Sequence, residues 1–249
     1  MNISELGLFS LAFLLFSTVG ASFITSITGM AGGALMLAAM NVYIPMAAVI
    51  PIHGNVQLIN NAVRSLSLRA HLNWKIIFPF AVGTIIGAAI ATFYAEKYYN
   101  EFLPLVVLLA LIAYTLFRPK HLPQIKIKDH NFFWVGLATG AIGIIAGAID
   151  PILAVFFMRN DLSKEEIVAN KSIMQMIAHA TKIPAFLYLG FSYFEHLGII
   201  ILLTVFALIG TYFGMHALRK VNQQVFFKIM EIALYVTGAR LLYQLISLV

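Results

Sequence analysis

The 249-residue chain has no cysteine, only 10% charged residues, and no lysine or arginine before Arg64. Without cysteine there is no disulfide, no thiolate metal site and no catalytic thiol. A His-Glu-x-x-His pair, a Gly-x-Ser-x-Gly elbow and a phosphate-binding Gly-Lys-Ser loop are also missing. No nucleophile with a base and no metal cluster can be assembled from the sequence, so an enzyme, a cofactor and a metal are not expected. The first residues lack the basic charge that opens a secretory signal peptide, so residues 6–23 are expected to persist as a membrane segment.

What the chain does have is apolar length. It is 61% hydrophobic, with a mean hydropathy of +0.91. Runs at 6–23, 76–94, 103–117, 197–215 and 225–245 approach or reach the roughly 20 residues of a bilayer-crossing helix. A transmembrane barrel would show alternating segments instead. The expected class is all-α, a polytopic helical membrane protein. A net charge of +6 would suggest nucleic acid in a soluble protein. Here the basic residues fall mostly between apolar runs, so membrane topology explains them, and the bilayer is the expected partner rather than nucleic acid.

The chain repeats itself. "TSITGMAGGALMLAAM" (25–40) lies over "TGAIGIIAGAIDPILA" (139–154), pairing Gly29 with Gly143 and Gly33 with Gly147. "PMAAVIPIHGNVQLINNAVR" (45–64) lies over "SKEEIVANKSIMQMIAHATK" (163–182) at a slightly larger offset. "GTIIG" (83–87) matches "GTYFG" (210–214), glycine pairs suited to helix packing. The expected organisation is a membrane repeat over 1–117, a basic cytoplasmic linker over 118–130, and a second repeat over 131–249. If the second glycine segment turns back as a re-entrant hairpin, Arg159, Lys164, Lys171, Arg219, Lys220 and Lys228 share the side of Arg64, Arg69 and Lys75. Positive charge then lies inside, and the halves are inverted repeats. A parallel duplication of four spans each is the alternative.

At about 100° per residue, His53, Gln57, Asn61 and Arg64 occupy one helix face. Lys171, Gln175, His179 and Lys182 repeat the same spacing in the second copy, and Asn55 adds a further amide to the first. Ser163 to Glu166 forms a capping-box pattern at the start of the second helix. One reading is a pair of interfacial helices touching headgroups. The other is a polar cavity inside the membrane, where such groups are costly and usually functional. The glycines at 29, 32, 33, 143 and 147 permit close helix packing. Alternatively they break each helix and aim backbone N–H groups at the cavity. Amides, bases and freed N–H groups together suit an oxyanion, whereas a cation would want carboxylates and these segments contain only Asp150. Asp150 is either a proton carrier, a partner of Lys171 or Lys182, or a helix cap. His179 and His53 are candidates for proton uptake.

The combination resembles the TauE/SafE family of sulfite and organosulfonate exporters. "GMAGGALML" followed by "GNVQLINNAVR", echoed by "GIIAGAIDPIL" and "ANKSIMQMIAHATK", carries the resemblance over essentially the whole chain. The resemblance implies a multi-pass secondary transporter of the cytoplasmic membrane. Its expected substrate is sulfite, sulfate, sulfoacetate or a similar oxyanion, exported under a proton or electrical gradient. A homodimer is one expected assembly. A small-anion channel, or a permease for another organic anion, is the alternative.

Overall fold

The computed structural model describes residues 7–98, 102–117, 125–147 and 149–247. Residues 118–124 of the linker, and Ala148 of the second glycine segment, lie outside the described residues. Among the described residues there are ten α-helices and no strand. The first half contains α1 (Leu8–Thr28), α2 (Gly32–Met40), α3 (Met46–Ser67), α4 (Trp74–Tyr98) and α5 (Phe102–Phe117). The second contains α6 (Phe132–Ala146), α7 (Asp150–Phe157), α8 (Lys164–Tyr188), α9 (Leu197–Lys220) and α10 (Gln223–Ile246). Each half has a short second helix among longer ones, as the internal repeat requires.

By length and composition, Leu8–Thr28, Trp74–Tyr94 and Phe194–Lys220 can each cross a bilayer. Of the other apolar runs, 103–117 lies in a shorter helix, and 225–245 carries Lys228, Glu231 and Arg240.

Both glycine segments break a helix. Gly29 ends α1 in the left-handed conformation, φ +68°, its N–H bonded to Thr25 O at 2.6 Å. Gly147 ends α6 likewise, at φ +72°. A side chain is strained in that conformation, which is why glycine stands at both breaks. Each short helix then folds back along the long one before it. Phe13 meets Tyr43 edge-on at 5.6 Å, and Phe132 lies 6.0 Å from Phe157, ring to ring. Ala31, at φ +67°, is the non-glycine exception; such a residue carries strain of about 1–3 kcal/mol.

The breaks correct the sequence register. Gly29 is equivalent to Gly147 and not to Gly143, an offset of 118 residues, the same as from Gln57 to Gln175. Small residues recurring every four positions make a one-turn slip invisible in sequence. The corrected register sets Asp150 opposite Gly32, not Met36.

The halves interleave. The α4 and α6 helices run side by side in the same direction: a Cβ on Gly83 would fall 2.0 Å from Phe133 O, and one on Gly87 2.0 Å from Leu137 O. The α1 and α9 helices repeat this pairing, Gly210 against Val19 and Gly214 against Phe23. Only glycine permits such backbone contact, and the GxxxG packing expected of these residues is present. The α3 and α8 helices cross antiparallel at the centre. His53 touches His179 near one end, and the backbone N–H of Asn73, just beyond α3, is bonded to Asn170 at 2.8 Å near the other.

Several basic segments share one face. Asn170 ties the 69–73 turn to the start of α8, and Lys164 Nζ donates to Leu218 O at the end of α9 at 2.6 Å. Asp161 pairs with Arg159 at 2.6 Å and with Lys126, at the end of the linker, at 2.9 Å. Those two partners, Arg159 first, hold the Asp161 carboxyl well below the usual carboxylate range.

Candidate functional site

The site forms where α3 and α8 cross. Pro45 caps the start of α3. The α8 helix opens on the capping box read in the sequence: Ser163 Oγ accepts from the Glu166 N–H, and Glu166 accepts from the Ser163 N–H at 2.8 Å. With both helices started in register, their polar stripes meet. His53, Gln57, Asn61, Arg64, Lys171, Gln175, His179 and Lys182 are all buried, none more than 4% exposed. An interfacial helix would leave such a stripe wet, so the headgroup reading is set aside.

A cavity lies between the stripes. His53, Gln57 and Asn61 line it from α3, Gln175 and His179 from α8. The two helical hairpins close it with their tips, through Gly33 and Ala34 of α2 and through Gly147 and Asp150 at the second break. First-turn amides of a helix have no carbonyl partner within that helix, so α2 presents its N-terminal end to the cavity. About 10 Å³ is open to a water centre, enough for about one water. A ligand of several heavy atoms does not fit this space.

Hydrogen bonds tie the tips to the crossing. His53 Nε2 contacts Gly33 O at 2.9 Å. Gln175 Nε2 donates to Gly29 O at 3.3 Å and to Asp150 Oδ1. Asp150 Oδ2 accepts the N–H of the strained Ala31 at 3.2 Å. Lys182 Nζ donates to Gly147 O at 3.0 Å, closing the C-terminal end of α6. Arg64 Nη2 donates to Asn61 Oδ1.

Other polar groups remain open. Lys171 Nζ, with Nε and Nη1 of Arg64, is buried without a hydrogen-bond partner. Among the described residues Arg64, Lys171 and Lys182 make no ion pair. Asp150 is the one buried carboxylate among them, and Lys171 and Arg64 act on it electrostatically. Three buried basic groups thus stand against one buried carboxyl on the same pair of helices and their hairpins. The antiparallel crossing sets Arg64 near Lys171 at one end, and Lys182 beside Gly54 and His53 at the other.

Not every residue singled out by sequence reaches the cavity: Arg64, Lys171 and Lys182 are buried beside it but are not among its lining residues, of which Asp150 is the one that carries a full charge. Asn55 is turned away, its Nδ2 bonded to Pro51 O at 3.1 Å and its side chain near Tyr193. Two residues past His53 is about 200° around the helix, off the polar face. Gly143 lies inside α6, one turn before the break. Gly32 packs against Ala21 and Thr25 of α1, while Gly29 contributes its carbonyl to Gln175. Asn60 was missed. It is fully buried and bonded to Ser22 at 3.3 Å and to Thr211, linking α1, α3 and α9. Its partners lie on distant helices, and no local pattern marks them.

Broken helices around a buried polar cavity, with three basic side chains buried on the two helices that line it, stand in an apolar helical bundle suited to a membrane. The chain belongs to the TauE/SafE family: the family described as sulfite exporter TauE/SafE matches residues 14–241. Its members are transporters, not enzymes. No curated protein and no solved structure matches the chain.

Proposed function

We propose that this protein exports a small sulfur oxyanion, sulfite or an organosulfonate, across the cytoplasmic membrane, binding it at the α3–α8 crossing. The observation that carries the reading is the set of open donors on Lys171 and Arg64. A buried cation without a partner costs several kcal/mol, which a matching anion offsets. Tetrahedral and pyramidal oxyanions also accept amide hydrogens, and Gln57, Gln175 and the first turn of α2 line the cavity between the two helices that carry those cations. The family supplies the sulfur chemistry.

The two halves act as inverted repeats. The support is geometric: α3 and α8, equivalent helices, cross antiparallel. In this reading the hairpins α1–α2 and α6–α7 are re-entrant, which leaves three crossings per half and so reverses the second half. The face bearing Arg69, Lys75, Lys126, Arg159, Lys164 and Arg219 is then cytoplasmic. A cavity closed by two hairpin tips favours a carrier with alternating access over a channel, since a channel needs a continuous wet path.

The test is thermal unfolding of purified protein in detergent with sulfite, ethanesulfonate or chloride. At a hundredfold excess over Kd a ligand adds about 2.7 kcal/mol, or roughly 5–10 °C for a chain of this size. The sulfur anions are expected to give this shift and chloride much less, with Arg64→Gln losing it. An identical shift with all three salts contradicts the proposal.

A further inference from the structure

Asp150 is the one element of the site that an anion carrier should not want. A carboxylate among the cations repels the substrate, and copy one has Gly32 at the equivalent place. Yet it is not a bystander. It is the first residue of α7, at the tip of the second hairpin, and it accepts from Ala31 at the tip of the first. Its other oxygen accepts from Gln175, whose Nε2 also donates to Gly29 O. One carboxylate thus fastens both tips to α8 and holds Ala31 in its strained conformation.

We propose that Asp150 is an internal anion that competes with the transported oxyanion for the same cations, so that each oxyanion bound takes up one proton, onto Asp150. This rests on the anion reading above and deepens it to the coupling of that site. With Asp150 ionised, its charge answers Lys171 and Arg64 and the tips stay closed. A proton arriving from the aqueous side binds a carboxylate oxygen and removes that charge. The neutral acid accepts more weakly from Ala31 and Gln175. The tips are then free to part, and the cations to take the oxyanion in its place.

The charged and titratable groups facing Asp150 are Arg64 and His53 on α3 with Lys171, His179 and Lys182 on α8. The two histidines and the two buried lysines are the competing proton acceptors, and the pH slope of Asp150→Asn separates Asp150 from all four.

Sulfate is the probe, because its own charge is constant over the range. Its binding to the purified protein is measured by calorimetry between about pH 6 and 8. Two buffers of different ionisation enthalpy report the protons taken up. The native protein is expected to take up one proton per sulfate, its Kd rising about tenfold per pH unit. Asp150→Asn should bind with no pH slope, at least as tightly as the native protein at its lowest pH. His53→Gln and His179→Gln should keep both the slope and the proton. A native affinity flat with pH overturns the proposal. So does a slope that survives in Asp150→Asn or disappears in either histidine variant. If Asp150→Asn fails to fold, Asp150→Gly, the residue that copy one carries at this place, is measured instead, and a slope or proton uptake that survives there overturns the proposal. Sulfate binding absent from all of these proteins overturns the anion site itself, and this coupling with it.

Discussion

Lys171 and Lys182 are equally buried and chemically identical, yet their situations differ. Lys182 donates to the Gly147 carbonyl, whereas Lys171 Nζ has no acceptor. The first helps to end α6, whereas the second, in the proposed reading, is left open for the anion at a cost in stability. A buried ion without a hydrogen-bond partner carries a desolvation penalty of several kcal/mol, which an apolar side chain of similar length does not. Lys171→Met is therefore expected to unfold at a higher temperature than the native protein without anion, and to lose the rise that sulfite produces. Thermal unfolding of both proteins, with and without sulfite, checks this. A destabilised Lys171→Met that still responds fully to sulfite would make Lys171 structural.

At the scale of elements, the hairpins depend on close contact at their turns. A Cβ on Gly32 would lie 1.8 Å from Thr25 Oγ1 and 1.9 Å from Ala21 O, so α2 could not fold back on α1. Gly20, on α1, has nothing within 4 Å of the equivalent point. Gly32→Ala is expected to destabilise by about 1–3 kcal/mol or more, while Gly20→Ala stabilises by up to about 1 kcal/mol through helix propensity. Thermal unfolding of the pair is the measurement; a well-folded Gly32→Ala would mean the hairpin is not packed this way. Much of this level is legible in sequence. Helical periodicity puts His53, Gln57, Asn61 and Arg64 on one face, the capping box starts α8 where Ser163 stands, and glycines mark both breaks. Two things were not legible. The register of the glycine segments slips by one turn without changing the small-residue pattern. The bonds from Asn60 to Ser22 and Thr211, and from Asp150 to Ala31, join residues far apart in the chain, where periodicity carries no information.

Across the whole molecule, the interleaved halves and the antiparallel crossing place Arg64 and Lys182 at opposite ends of one site. In the inverted arrangement Arg64 faces the cytoplasm and Lys182 the exterior. A cation about 4 Å from an anion contributes up to roughly 4 kcal/mol in a partly wet cavity, before desolvation. Even a third of that is a tenfold change in half-saturation. The most direct measurement is sided sulfite flux in proteoliposomes of known orientation, comparing the native protein with Arg64→Gln and Lys182→Gln. Saturable flux is expected in the native protein. Arg64→Gln should raise the half-saturation concentration mainly from the cytoplasmic side, and Lys182→Gln mainly from the exterior. Flux that does not saturate, or equal losses from both sides in both variants, would contradict an oxyanion carrier built from two inverted halves.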